Sequence, residues 1–267
     1  VASMLEKDGL PAGTPFVNAE ESEYLVIEDA FPNGRPPLEK AGIYFTSRDT
    51  VDQVERMKVC TCLNPLHTAL AVYGCLLGYR HIWQEMQDED LKNLVYTIGY
   101  QEGLPVVTDP GIISPKSFID TVLQIRIPNP FMPDTPQRIA TDTSQKLPIR
   151  FGETIKAYLA SDDLQISQLR LIPLVFAGWL RYLMAIDDEG NPFDPSPDPL
   201  LADVQPYVAN CRLGEKPDTE ALRPLLSNAS IFGVDLYEAG LAEAVCSYFT
   251  ELTAGKGAVR ATLHKYT

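Results

Sequence analysis

The chain has 267 residues, 45% of them hydrophobic, and its 36 acidic and 22 basic side chains give a formal net charge of −14. A chain of this length can bury a substantial core, and its negative charge would repel a phosphate backbone, which disfavours nucleic acid as a partner. No run approaches the ~20 apolar residues that cross a bilayer, and the N-terminus lacks a basic region followed by an apolar run, so we expect a soluble, cytoplasmic protein without membrane contact.

Residues 1–49 are predicted to form an irregular segment with short strands. Glycine and proline alternate through residues 9–15, residues 24–27 and 43–45 are strand-like, and residues 31–37 are rich in turn formers. Asp49 or Thr50 is a suitable N-cap, so a helix is expected to begin there.

Residues 50–267 are predicted to form one mainly helical domain. Apolar residues recur at helical spacing over residues 51–79, and Pro65 predicts a kink or a change of pitch near residues 61–64. Further helices are predicted over residues 88–102, 114–124, 136–143, 151–160, 169–185, 218–226 and 236–254, with a loop over residues 187–199. No glycine-rich phosphate loop follows a strand in this sequence.

The cysteines are expected to be reduced core thiols. Cys60, Cys62, Cys75, Cys211 and Cys246 form no C-x-x-C pair, and the first two would point about 200° apart on a helix. With only three histidines in the chain, we expect no metal site.

Three polar residues in one apolar helix are the candidates for chemistry. Asn64 and His67 are three positions apart and share a helical face, and Lys58 precedes them in the same helix. A buried lysine is rare without a partner or a function. Each residue also has a structural interpretation, because Lys58 can extend to solvent, His67 can be a satisfied core residue and Asn64 can accompany the break at Pro65.

The stretch over residues 55–67 resembles the signature of the polyol-specific long-chain dehydrogenases, the mannitol dehydrogenase family. That signature is a lysine, four residues, an asparagine, two residues and a histidine, and residues 26–36 and 129–148 are similar to two further blocks of the family. The resemblance implies the mainly α, helical C-terminal domain of the mannitol dehydrogenase and 6-phosphogluconate dehydrogenase C-terminal-like type, with a small β element near the N-terminus. It also implies that Lys58, Asn64 and His67 are catalytic.

This sequence departs from the family pattern by one residue, because five residues separate Lys58 from Asn64. On a straight α-helix Lys58 and His67 would lie about 180° apart. A π-bulge just before Pro65 would absorb the extra residue, and such bulges are frequent at functional sites.

The resemblance implies further site residues. Arg138 and Lys146 correspond to the arginine and lysine of the substrate-binding block, and Glu55 lies near the proton path. Arg138 could instead form a structural ion pair with Asp134 or Asp142, and Glu55 could be a surface partner of Lys58.

The implied activity is metal-independent hydride transfer between NAD(H) or NADP(H) and a sugar acid or polyol. The dinucleotide would be bound mainly by an N-terminal nucleotide-binding domain of the same protein, which this sequence does not contain. Fructuronate reduction to mannonate is the preferred reaction, with tagaturonate reductase or mannitol 2-dehydrogenase as alternatives. A helical binding or dimerisation module without catalysis is the alternative of a different class, and Lys58 in bulk water on a straight helix would favour it.

Overall fold

The computed structural model describes Lys7, Gly9, Pro11 and residues 25–267, so most of the predicted irregular start lies outside the described residues. Two short parallel strands, β1 (Val26–Glu28) and β2 (Tyr44–Thr46), pair in the register Val26 to Tyr44. The prediction of a small β element is thus confirmed, with each described strand displaced toward the C-terminus.

The loop between the strands is organised by Arg35, which lies in the predicted turn-rich stretch. Its guanidinium pairs with Asp29 at 2.8 Å and Glu39 at 2.6 Å, and it lies 3.5 Å from the ring centroid of Phe45. Gly34, with a φ of 76°, provides the left-handed turn that precedes it.

The rest of the described chain is helical, as predicted. Its α-helices are α1 (Arg48–Met57), α2 (Asn64–Leu76), α3 (Ile82–Glu85), α4 (Glu89–Thr97), α5 (Pro115–Thr121), α6 (Pro136–Ile139), α7 (Thr143–Leu147), α8 (Glu153–Leu159), α9 (Leu171–Leu183), α10 (Leu201–Val204), α11 (Arg223–Leu226), α12 (Ala229–Phe232), α13 (Ala242–Leu252) and α14 (Ala258–Tyr266). Short 3-10 helices cover Leu38–Ala41, Leu104–Val106, Ile166–Gln168, Gln205–Val208 and Glu220–Leu222.

Four segments of the described chain have π-helical pitch, and each continues directly from the end of an α-helix. They are Lys58–Cys62 after α1, Ile98–Gly103 after α4, Val122–Arg126 after α5 and Pro148–Gly152 after α7. The first is the predicted bulge that absorbs the extra residue before Pro65. Pro65 lies in the first turn of α2, where a missing N–H is not needed.

Helix α2 lies at the centre of the core and packs against α6 and α9. Every residue of α2 from Pro65 to Leu76 is buried. By length and composition alone, the helical run Arg48–Leu76 could cross a membrane, although we predicted no such segment. Its most apolar stretch of 18 residues is 89% buried inside the protein, as in the core helix of a globular protein.

Helix α9 is likewise buried along its whole length, and its start is capped from another element. The carboxylate of Glu102 accepts hydrogen bonds from the backbone N–H groups of Arg170, Leu171 and Ile172 at 2.7 to 2.9 Å. A buried carboxylate thus satisfies the unpaired N–H groups at this helix start.

Several predicted helix bounds were wrong. The N-cap of α1 is Ser47, whose hydroxyl accepts from the Thr50 N–H, rather than Asp49 or Thr50. The helix predicted over residues 136–143 divides into α6 and α7, because Asp142 adopts a left-handed φ of 56°. The predicted helix 236–254 begins only at Ala242, and α14 was missed altogether.

Candidate functional site

One open cavity of about 690 Å³ brings the six predicted site residues together. Its lining includes the predicted residues Glu55, Lys58, Asn64, His67, Arg138 and Lys146, together with Leu63, Arg126, Phe131, Met132, Pro133, Asp134, Ile139 and Arg150. Three arginines and two lysines thus face two carboxylates. This excess of positive charge is concentrated in a chain whose net charge is −14.

The π segment after α1 determines which way Lys58 faces. Lys58 is half-buried, and its ammonium makes no hydrogen bond or ion pair with another described residue. It also borders a second cavity of about 280 Å³, which shares Glu55, Lys58, Leu63 and Arg126 with the first. The change of pitch therefore brings the lysine into the cavity that contains Asn64 and His67, despite the extra residue.

His67 is buried beside Asp134, and its Nε2 atom lies 3.9 Å from an Asp134 carboxylate oxygen. That carboxylate is already paired with the guanidinium of Arg138. Burial, with a smaller contribution from the positive charges of Arg126, Arg150 and Arg138, lowers the pKa of His67 to about 3. The imidazole is therefore neutral at physiological pH and can donate one hydrogen bond.

Arg138 both forms a structural ion pair and lines the cavity, the two alternatives considered for it above. It forms the predicted ion pair with Asp134, and its side chain is 61% exposed and lines the cavity. The pair places the guanidinium at the cavity wall.

Lys146 lies on α7, lines the same cavity, and donates hydrogen bonds to the backbone carbonyls of Ile139 and Thr141. Burial lowers its pKa, and the positive charge of Arg150 adds to that effect. The start of α7 is fixed from a distance, because Ser144 donates its N–H to Asp198 at 2.8 Å and its hydroxyl to the same carboxylate.

Arg126 and Arg150 are cavity residues that the sequence analysis missed. Arg126 ends the π segment after α5, and Arg150 lies in the π segment after α7. With Lys58, three of the four π segments therefore contribute a basic side chain to the cavity. The sequence offered one hint for Arg150, because it lies four residues, about one helical turn, after Lys146 and just beyond the 129–148 block.

The described residues do not fit a dinucleotide phosphate site. Strand β2 passes into α1 through Ser47, without a glycine-rich turn whose N–H groups could cradle a pyrophosphate. Nor does any group of three or more His, Cys, Asp or Glu side chains converge for a metal within the part of the chain that the structure describes.

The family model of the mannitol dehydrogenase C-terminal domain matches residues 50–253. D-mannonate oxidoreductase of Thermotoga maritima is 57% identical over 94% of this chain and 47% of its own length. Mannitol 2-dehydrogenase of Aspergillus fumigatus is 30% identical over 88% of this chain and 44% of its own length.

A solved structure of Pseudomonas fluorescens mannitol 2-dehydrogenase, a ternary complex with NAD and D-mannitol, matches with a TM-score of 0.73 and 29% identity. The match covers 90% of this chain and 45% of the Pseudomonas fluorescens chain. The chain thus spans about half the length of the curated relatives it matches. The chain belongs to the mannitol dehydrogenase family, whose C-terminal domain it represents.

Proposed function

We propose that this chain is the substrate-binding and catalytic half of an NAD(P)-dependent oxidoreductase that interconverts D-fructuronate and D-mannonate. The convergence of Lys58, Asn64 and His67 in one cationic cavity carries the proposal. A cavity with more cations than carboxylates attracts an anionic substrate even when the whole chain is acidic. The name of the Thermotoga maritima relative, at 57% identity, supports a sugar acid over a neutral polyol.

Lys58 is proposed as the group that moves the hydroxyl proton. In the direction of reduction its ammonium gives a proton to the carbonyl oxygen, and in oxidation its neutral amine takes the proton back. No carboxylate among the described residues forms an ion pair with this ammonium, so it is available to a substrate oxygen.

Asn64 and His67 are proposed to bind the same oxygen. The Asn64 amide donates a hydrogen bond, and the neutral His67 imidazole donates a second one from its single N–H. These donors stabilise the alkoxide character that develops on the oxygen as the carbonyl carbon is reduced. A charged imidazole would compete with Lys58 as a proton donor, which the burial of His67 prevents.

The remaining predicted residues would position the substrate and connect it to solvent. Arg138, fixed by Asp134, and Lys146, fixed by two carbonyls, are proposed to bind other oxygens of the substrate. Glu55 is exposed and one helical turn before Lys58, so it is proposed to exchange the proton with water.

The cofactor supplies the hydride when it is bound. Because the described residues do not fit its phosphates, the rest of the protein is proposed to hold it. The convergence of all six predicted site residues on the cavity argues against a non-catalytic binding module. The five cysteines are free thiols, which supports our proposal of a cytoplasmic location.

The experiment is a substrate panel with the intact protein that contains this chain and its cofactor-binding half. Oxidation of NADH and NADPH is followed with D-fructuronate, D-tagaturonate and D-fructose, and a Lys58→Ala protein purified in the same way controls for contaminating reductases. We expect kcat/KM for D-fructuronate to exceed that for D-fructose by about 10²-fold, the effect of a satisfied ionic contact. Equal or better use of D-fructose would assign a mannitol 2-dehydrogenase activity instead. If none of the three substrates is turned over, the result would favour the non-catalytic binding module.

A further inference from the structure

Arg150 is a cavity cation that has no carboxylate partner among the described residues. It is half-buried in the π segment Pro148–Gly152, and the structure gives its guanidinium one hydrogen bond, to the Thr68 hydroxyl at 2.5 Å. Partly buried charges are normally paired, because removing them from water is costly. Burial also lowers the pKa of Arg150 to about 10. A guanidinium in this setting is suited to bind an anion that the free protein does not contain.

Two of the other cations of the cavity have protein partners. Arg138 is paired with Asp134, and Lys146 is held by two backbone carbonyls. Under the proposed function, Lys58 exchanges a proton with the reacting oxygen and so does not bind the carboxylate. A guanidinium has five N–H donors in a planar fork, and Arg150 uses one of them, so the others can take a carboxylate in a bidentate pair.

The Thr68 hydroxyl connects Arg150 to the proposed reaction centre. It accepts a hydrogen bond from Arg150 and donates one to the backbone carbonyl oxygen of Asn64 at 3.0 Å. Thr68 is 1% exposed on α2, so this bridge lies inside the protein and is shielded from competing water. Arg150 is thereby held at a fixed position relative to Asn64, which is proposed to bind the oxygen that is reduced.

We propose that Arg150 binds the carboxylate of a sugar acid substrate and that Thr68 is its positioning residue. This inference rests on the proposed function and deepens it, because it names the contact that separates sugar acids from neutral ketoses. The carboxylate lies at the end of the sugar chain remote from the carbonyl, which requires a cation other than the one that transfers the proton. Arg150 is then a specificity-determining residue, whose loss affects only substrates that carry a carboxylate.

The test compares variants of the intact, cofactor-binding protein on D-fructuronate and D-fructose. Arg150→Met should lower kcat/KM for D-fructuronate by about 10- to 100-fold, mainly through KM, and change kcat/KM for D-fructose by less than about 3-fold. Arg150→Lys keeps the charge without the fork and should fall between wild type and Arg150→Met. Thr68→Val keeps the side-chain shape and should lower kcat/KM for D-fructuronate by about 3- to 10-fold with the same selectivity.

Arg223→Met is the matched control, because Arg223 is an exposed arginine outside the cavity that stacks on Tyr237, and its replacement should leave both substrates unchanged. An equal loss on both substrates, or no loss with Arg150→Met, would overturn the carboxylate contact while the proposed oxidoreductase activity stands. Wild-type protein that reduces D-fructose but not D-fructuronate would also overturn it. Turnover of neither substrate would overturn both proposals.

Discussion

The neutral state of buried His67 makes the stability of the protein depend on pH in a predictable direction. In the unfolded chain a histidine has a pKa near 6.5, whereas burial lowers the folded pKa of His67 to about 3. Between these values the unfolded state binds the additional proton. The stabilising contribution is therefore fully present above pH 6.5 and is lost as the pH falls from 6.5 toward 3.

The size of this effect follows from the two pKa values. Lowering the pH from about 6.5 to about 4.5 protonates the unfolded histidine almost completely and the folded one hardly at all, which costs about 2 kcal/mol of unfolding free energy. The assay is urea unfolding of this chain and of His67→Gln at both pH values. Other groups titrate in both proteins, so the difference between the two pH responses isolates His67.

We expect the wild-type protein to lose about 2 kcal/mol more than His67→Gln over that interval. An NMR titration of the His67 resonance is a direct check, since the chain has only three histidines to assign. Identical pH responses of the two proteins, or a His67 resonance that titrates near pH 6.5, would refute the lowering of the His67 pKa by burial.

Three further predictions concern packing, a buried cation and the cofactor. Gly178→Ala would place a Cβ 2.6 Å from the ring of Tyr73, whose hydroxyl connects α2 to α9. We therefore expect chemical denaturation to show a loss of about 1–3 kcal/mol in the free energy of unfolding, and unchanged stability would contradict this close approach. Arg181→Met leaves three backbone carbonyls without their donor and should cost about 3 kcal/mol by the same measurement, whereas a cost below about 1 kcal/mol would show that water replaces the guanidinium. Calorimetric titration of this chain alone with NADH should show no binding tighter than about millimolar, and micromolar binding would reveal a phosphate site in this half.

The change of pitch before Pro65 could be predicted because its cause is local. One extra residue between Lys58 and Asn64 had to be absorbed if the family geometry was retained, and a proline limits where a regular helix can continue. The pattern of apolar residues likewise predicted α2 and α9. Both helices are buried along nearly their whole length, so their sequences are apolar enough to indicate core helices.

The features that the sequence did not reveal depend on contacts between distant segments. The start of α14 is capped by Asp188, whose carboxylate accepts from the N–H groups of Val259 and Arg260 about 70 residues away. The break at Asp142 depends in the same way on Asp198, which holds the first turn of α7 through Ser144. No periodicity of the local sequence records such a cap.

Arg126 and Arg150 were missed for a related reason. Each lies in a helical segment where a surface arginine is the ordinary interpretation, and only the folded chain shows that both face the same cavity as His67. The number of cations in the cavity therefore required the structure, although the sequence had already favoured a sugar acid.

The most direct test of the central claim is the turnover of a Lys58→Ala variant of the intact protein with D-fructuronate and reduced cofactor. We expect turnover to fall by about 10²-fold or more while the affinity for the dinucleotide stays within about 2-fold, because proton transfer is lost and the cofactor is proposed to be held outside this chain. A small primary amine in the buffer should restore part of the rate, which packing alone would not explain. Near-normal turnover of Lys58→Ala across the pH range would contradict the account, since another group would then carry the proton.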